Sequence, residues 1–374
     1  MKRLCIYVTY NKENIVQPYV GHMLNALKPH VDSLCVVCNY PEILGGEEFV
    51  FSYADEVFYR ENKGFDCGAY KDTLCSLLGW EKVCQYDELL FMNDSFFGPI
   101  NSLKKCFEQM EEVDCDFWGI AKNSAGTPKT LGFFYGPHAQ SYFLVFRKKV
   151  IISDAFKCFF EMVPYPDRFM DSVRNFEIGL SEYLERKGFS YMTLAGVQGM
   201  VFEEDEIAHY LYSLEMIRDK GMPFLKKKSL LIRNRGFINT YQAIKYIEEN
   251  TEYPVKWIWE ALDNQFTTPN DTLEHFYNRY KRIYIYGAGL CAKNLDLYFR
   301  HKGWKYEGIV VTNKENQDMD CLELDETCID GETGVIISIL NPEVSEEVVT
   351  HIGNRCKKEQ LFLISDCGAI RLPK

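Results

Sequence analysis

Short apolar runs that each end in polar residues recur along the N-terminal part of the chain: LCIYVTY (4–10), SLCVVCN (33–39), ADEVFYRE (54–61) and DELLFMND (87–94). Between them lie stretches with helical spacing, such as VQPYVGHMLNAL. Strand alternating with helix implies an α/β fold, a mostly parallel sheet flanked by helices on both sides. In such sheets ligands bind beyond the carboxyl ends of the strands. The polar residues closing each run are therefore the candidates: Thr9, Tyr10 and Asn11; Asn39; Asn62 to Asp66; and Asn93, Asp94 and Ser95.

From about 115 to 150 the chain is β-rich and aromatic (CDFWGIA, LGFFYG, QSYFLVFRK), then helical to 188, and KGFSYMTLAG returns to strand. Residues 205–265 read as largely helical, so residues 1–275 form one expected domain. A second begins at 278: RIYIYGAGLCAKNLDLYFRHKGWKYEGIVVTN is strand, glycine turn, helix and strand, and TGVIISIL and EQLFLIS supply two more strands. Residues 278–374 are expected to form a small Rossmann-like α/β domain. Its GxGxxA pattern, Gly287, Gly289 and Ala292, precedes a strand ending VVTN, without the acidic residue that would hold a ribose. Packing or assembly is the reading favoured for that loop over dinucleotide binding.

The chain has 374 residues, 47% hydrophobic and 15% aromatic, ample for packed cores. A net charge of −12 argues against nucleic acid as a partner. The N-terminus, MKRLCIYVTYNK, reaches a polar Asn by residue 11 and lacks the features of a signal peptide. No segment holds the roughly 18 uninterrupted apolar residues that a membrane span requires. A cytoplasmic protein with its 14 cysteines reduced is expected. The pair Cys35 and Cys38 in CVVC sits in an apolar run without a second pair, which favours core packing over zinc. The basic stretch FLKKKSLLIRNRGF (224–237) is either a solvated face or a contact with anionic phosphate, on a lipid headgroup or a nucleotide sugar.

Three segments could carry chemistry. In RENKGFDCGAYKDTL (60–74), Asn62, Gly64, Gly68 and Ala69 leave little bulk at a strand-to-helix turn, with the helix expected to begin near Ala69. Backbone N–H groups could then approach an anion, with Asp66 accepting hydrogen bonds from a ribose or base. Alternatively the glycines make only a tight turn and Asp66 caps the helix. In LLFMNDSFFGP, Asn93, Asp94 and Ser95 suit a divalent cation bridging a diphosphate, or direct contact with sugar or phosphate, or simply a turn. In RNFEIGLSEYLERKGFSY, Glu177 is expected at or before the first turn of a helix, as a general base or as a carboxylate favoured by the macrodipole.

Six ordered blocks, ENKGFDCGAYKDTL, YDELLFMNDSFFGP, DFWGI, HAQSYFLVFRKKV, FEIGLSEYLERKGF and MPFLKKKSLL, resemble the rhamnan synthesis protein F family of bacterial glycosyltransferases. The resemblance covers roughly the first 235 residues. It implies a GT-A-type fold and transfer of a sugar, commonly L-rhamnose from dTDP-rhamnose, to a growing lipid-linked cell-surface polysaccharide, with peripheral contact at the inner face of the membrane. By that resemblance Asn62, Gly64, Asp66, Gly68 and Ala69 belong to the nucleotide-sugar loop, and Asn93, Asp94 and Ser95 lie beside them; the strand-end rule adds Thr9, Tyr10 and Asn11 to the donor side. NDS falls where related enzymes carry a metal-binding DxD. Asp94 is then the one carboxylate for Mg2+ or Mn2+, and metal dependence stays open. Glu177 resembles the base, and His138, Ser141 and Tyr142 would line the sugar or acceptor side.

The expected function is an inverting glycosyltransferase. Two alternatives stand beside it: a non-catalytic nucleotide-sugar-binding module of a polysaccharide assembly complex, and a nucleotide-sugar oxidoreductase using the C-terminal glycine loop.

Overall fold

The computed structural model of the protein describes residues 1–204, 206–231, 235–261, 272–315, 317, 319–339 and 341–367. The chain divides into two compact units, Met1–His209 with Glu215–Lys226, and Tyr210–Leu214 with Lys227–Lys374.

The first unit is built on seven strands: β1 (Arg3–Thr9), β2 (Ser33–Cys38), β3 (Glu56–Tyr59), β4 (Glu88–Asn93), β5 (Phe117–Gly119), β6 (Phe143–Arg147) and β7 (Tyr191–Thr193). Their order is β7-β5-β6-β4-β1-β2-β3. All neighbours are parallel except β6, which runs antiparallel to β4 and β5. The mostly parallel sheet flanked by helices is what the alternating runs implied. Every residue of β1, β2 and β4 is buried, because helices cover both faces and a strand covered twice must be apolar throughout. Cys35 and Cys38 lie in this layer, and burial pushes the Cys38 thiol up to about 12, so both are core residues.

The main helices of this unit are α1 (Pro18–Leu27), α2 (Phe65–Asp72), α3 (Leu103–Glu111), α4 (Asp154–Met162) and α5 (Gly179–Arg186). Ile6, Val8, Val37, Leu89 and Phe91 pack on one face against Tyr70 of α2 and Phe156 and Phe160 of α4. The Tyr70 and Phe91 rings stack at 4.1 Å, and burying side chains of this size stabilises the fold by about 2–3 kcal/mol each. Ser153 starts α4 by accepting from the Phe156 N–H, which fixes the register that turns Phe156, Phe159 and Phe160 inward. Within the sheet Val8 pairs with Val37 on one side and Asn93 on the other. The polar residues that follow β1, β2 and β4 therefore leave the sheet at one level.

The second unit holds five parallel strands, β8 (Arg282–Tyr286), β9 (Gly308–Val311), β10 (Cys321–Glu323), β11 (Thr333–Ile337) and β12 (Leu361–Leu363), in the order β10-β9-β8-β11-β12. Its main helices are α6 (Arg235–Asn250), α7 (Leu290–Lys302) and α8 (Pro342–Ile352). Tyr241 of α6 and Leu273 share a core with Ile283, Ile285 and Phe299. The helical segment after Lys227 thus groups with the C-terminal strands, where the sequence reading joined it to the first domain. Gly287 takes φ +107°, and a Cβ there would meet the Ser338 hydroxyl at 2.8 Å. Ala292 is fully buried in the core of this unit. Thr312, just past β9, is hydrogen-bonded to the Tyr286 hydroxyl at 2.9 Å.

Candidate functional site

The loop between β3 and α2 is held from behind by two buried side chains. Arg60 donates to Asp72 at 2.8 Å, to the Asn39 carbonyl oxygen at 2.6 Å and to the Lys63 carbonyl at 2.6 Å. Asn39, at the end of β2, passes this on through its amide N–H group to Asn62 Oδ1 at 3.2 Å and the Phe65 carbonyl at 3.3 Å. Gly64 (φ +77°) and Phe65 (φ +54°) both occupy the left-handed region, which costs free energy at Phe65 and persists because the clamp fixes it. The helix begins at Phe65, not near Ala69, so Asp66 lies in its first turn. Ala69 and Gly68 are buried inside α2 and cannot present N–H groups to a ligand. Gly68 is required for another reason: a Cβ there would stand 2.1 Å from the Lys63 carbonyl.

Asp66 meets the end of β4. Asn93 donates its amide hydrogen to Asp66 Oδ2 at 2.6 Å, and its carbonyl oxygen accepts from the Ser95 N–H and hydroxyl. The Ser95 hydroxyl in turn accepts from Lys226 Nζ at 2.7 Å. A short antiparallel ribbon, Phe96–Phe97 against Leu225–Lys226, sets Lys226 opposite Phe96 and so brings it to this turn. Asp94 is half-buried and accepts from the Thr9 hydroxyl at 2.8 Å and the Tyr10 N–H at 3.2 Å. Asn11 closes the turn after β1 by accepting from the Glu13 N–H, and Tyr10 is exposed.

Glu177 does not stand at a helix N-terminus. Helical backbone runs from Phe169 to Arg186, and Glu177 sits in its wide π-turn, Val173–Ile178, just before α5. The macrodipole therefore does not account for it, while a π-turn inside a helix re-aims side chains and is frequent at functional sites. Its Oε2 accepts from the Ser141 hydroxyl at 2.7 Å and N–H at 3.2 Å, and its Oε1 lies 3.7 Å from His138 Nε2. Burial alone would raise the carboxyl, but His138, Ser141 and Lys226 together bring it down to about 2. His138 donates from Nδ1 to the Gly136 carbonyl at 3.0 Å, and its Nε2 faces the Asn123 amide nitrogen at 3.3 Å. The Asn123 carbonyl oxygen accepts from Gln140 at 2.8 Å.

The expectation that His138 and Tyr142 line the sugar or acceptor side is corrected. Both are buried, His138 completely. Tyr142 packs among Phe96 and Phe224, hydrogen-bonds His209 at 2.6 Å, and carries Lys226 Nζ 4.1 Å from its ring centroid. It supports the lysine rather than a ligand. Ser141 is half-buried and is spent on Glu177.

The structure thus gathers Thr9, Asp66, Asn93, Asp94 and Ser95 at one sheet edge, with Lys226 between that edge and Glu177. Arg60 escaped the sequence reading because a cation beside ENKG carries no spacing signature, and Lys226 was visible only as part of a basic run. The side chains of Arg233 and Arg235, further along that run, lie outside the described residues. Among the described residues no group of three or more His, Cys, Asp or Glu side chains could hold a metal ion. An all-protein cage therefore does not fit; a hard cation here would have Asp94 as its one carboxylate and would need its remaining oxygens from outside the protein. No helix among the described residues is long and apolar enough to cross a membrane.

A family model described as "Rhamnan synthesis protein F" matches residues 34–280, more than half of the chain, and the protein belongs to that glycosyltransferase family. Over 221 residues the chain is 24% identical to "Uncharacterized protein y4gN" of Sinorhizobium fredii, covering 59% of this chain and 48% of that protein. It thus spans about half the length of that relative. It is 25% identical over 228 residues to "Virulence protein VirA" of Vibrio anguillarum, covering 53% of this chain and 70% of the relative. Among solved structures it is similar to the mannosyltransferase PcManGT from Pyrobaculum calidifontis, in complex with GDP-Man and Mn2+. That likeness has a TM-score of 0.31 and 10% identity over 80% of this chain and 82% of the other, too low to carry an argument.

Proposed function

We propose that the first unit transfers a sugar, L-rhamnose from dTDP-rhamnose, to a hydroxyl of a growing lipid-linked polysaccharide with inversion, at the inner face of the membrane. The observation that carries this reading is the chain of polar contacts from Asp66 through Asn93 and Ser95 to Lys226, with Glu177 beside it. Asp66, Thr9 and Asn62 suit the nucleoside, and Lys226 suits the diphosphate, whose negative charge grows as the bond to the sugar breaks. The acceptor oxygen attacks the anomeric carbon, the bond from that carbon to the diphosphate oxygen breaks, and the hydroxyl proton passes to Glu177. A carboxyl near 2 is a weak base, so the proton moves late, once the attacking oxygen has become strongly acidic. A divalent ion at Asp94, Mg2+ or Mn2+, would neutralise further charge on the leaving group.

Glu177→Gln tests the reading. The amide keeps an oxygen for Ser141 and removes the proton acceptor, so transfer falls about 10²- to 10⁴-fold while donor affinity stays. A variant that transfers at the wild-type rate refutes Glu177 as the base.

A further inference from the structure

A groove of about 510 Å3 opens in the first unit between α4, the helical run that carries Glu177 and the segment 133–136. Its lining is unusual in composition. Phe133, Phe134 and Tyr183 present aromatic surface, and among them stand three planar polar groups: the Arg174 guanidinium, the Asn175 amide and the Glu182 carboxylate. Phe134 is 77% exposed and Met162, on the opposite wall, 79%. Large apolar side chains left this open at a groove mark a surface that something covers.

The chemistry of the lining selects the occupant. Glu182 is already paired with Arg186 at 3.3 Å and Arg174 lies over the Phe133 ring at 5.0 Å, so the groove offers one stacked guanidinium and not the cluster of cations that a diphosphate calls for. A lipid chain would cover the Arg174 guanidinium and the Asn175 amide with hydrocarbon and give them no hydrogen bond in return. A neutral saccharide satisfies both halves: its C–H faces lie flat on aromatic rings, and its hydroxyls pair with guanidinium, amide and carboxylate. The volume lies within the usual range for small-ligand sites, about 300–1,000 Å3.

The groove borders the helical run that carries Glu177, whose own side chain lies just outside the lining. Arg174 and Ile178 flank Glu177 on the same helical run, within about 5 Å along its axis. The segment that supplies Phe133 and Phe134 continues through Gly136 and His138 to Ser141, which holds the Glu177 carboxylate. We propose that this groove is the acceptor subsite and binds the terminal sugar units of a neutral glycan, presenting the end hydroxyl to Glu177. The inference rests on the reading of Glu177 as base. It moves the acceptor from the buried His138 and Tyr142 to an open surface.

Cys158 lines the groove and is exposed, and Cys328, in the other unit, is exposed as well. The whole chain is alkylated with iodoacetamide, with and without oligosaccharides of two to four L-rhamnose units, and each thiol is followed by mass spectrometry. Saccharide is expected to slow Cys158 at least fivefold, saturably, and to leave Cys328 unchanged. Phe134→Ala is expected to raise KM for the saccharide about fivefold to tenfold, the scale of one aromatic contact, with the affinity for the nucleotide sugar as in wild type. Unaltered Cys158 reactivity at a saccharide concentration that saturates transfer overturns the proposal, as does protection by lipid vesicles but not by saccharide. Failure of the wild type to turn over any nucleotide sugar would instead strike the proposed reaction, and Cys158 protection would still judge the groove.

Discussion

Arg60 is the residue that holds the loop between β3 and α2, which we propose binds the donor, and replacing it gives a quantitative test. Its side chain is 9% exposed and its guanidinium serves three acceptors on three different segments. In Arg60→Ala, Asp72 is 29% exposed, keeps Tyr165 as a donor and can rehydrate, so its loss is modest. Asn39 is 1% exposed, and its carbonyl oxygen is left without a donor, at a cost of about 1–3 kcal/mol. With the weakened Asp72 contact, the total destabilisation is about 3 kcal/mol, which lowers Tm by about 6–12 °C for a unit of this size. Donor binding suffers separately. Once Phe65 and Asn62 are released, the nucleotide must order them again, at about 1–2 kcal/mol per residue, so Kd for the nucleotide sugar rises at least about tenfold. Thermal melts and titration calorimetry on one preparation measure both. Arg60→Lys keeps the charge near Asp72 but loses the planar fork, and falls between the two. A folded Arg60→Ala protein with Tm within about 2 °C of wild type, or with unaltered donor affinity, refutes the clamp.

Other outcomes follow from the same geometry. Asp66→Ala weakens donor binding by about 1.5–3 kcal/mol in calorimetry, since a charged hydrogen-bond partner is lost at the strand edge; equal affinity would remove Asp66 from the donor site. Stability falls with acidification in two stages. Burial, aided by Lys226, lowers His209 from 6.5 to about 3, so below 6.5 the unfolded chain binds a proton that the fold excludes. Glu177, lowered from 4.5 to about 2, contributes about 3 kcal/mol above its ordinary value, which is lost as pH falls from 4.5 towards 2. Denaturant melts across pH 7 to 3 should therefore show a decline that is shallower below 4.5 in Glu177→Gln; an identical slope would contradict the assignment. Finally, ending the chain after residue 277 keeps Tyr241, Leu273 and Phe276 but removes Ile283, Ile285 and Phe299 from their core, so this truncation aggregates. A chain ending at 231 retains Lys226 and is expected to stay soluble and bind donor; the opposite ranking in sedimentation would refute the boundary.

Much of the sheet was legible because parallel strands covered on both faces must be apolar from end to end, and LCIYVT and ELLFMN announce themselves as such. The ends of such runs also located Thr9, Asn39, Asn93 and Asp94 at the carboxyl ends of β1, β2 and β4, which is a matter of strand position alone. What failed were inferences about local helix geometry. Nothing in RNFEIGLSEYL marks a π-turn, so Glu177 was read at a helix start when it lies within a continuous helical run. Burial of His138 and Tyr142 was equally hidden, since both types occur inside and outside proteins. Lys226 reaches Ser95 across 131 residues of sequence, through a two-residue ribbon too short to show a pattern.

The departure from a DxD motif has a structural reason that only the assembled site supplies. Asn93 stands where a carboxylate is expected, yet its amide donates to Asp66 at 2.6 Å while its carbonyl oxygen accepts from Ser95. An Asp at 93 would set two carboxylates at hydrogen-bonding distance, and one of them would have to take up a proton to remain there. Only a side chain with a donor on one arm and an acceptor on the other satisfies both neighbours. The negative charge that the motif would carry on β4 is supplied in part by Asp66 from α2, and Ser95 in turn accepts from Lys226 where a second carboxylate would have formed an ion pair. The edge thereby presents Asp66 and Asp94 as separate carboxylates with a lysine retained beside them. Lys226 donates to a neutral hydroxyl at Ser95 and lies over the Tyr142 ring, where a carboxylate at position 95 would have formed an ion pair with it.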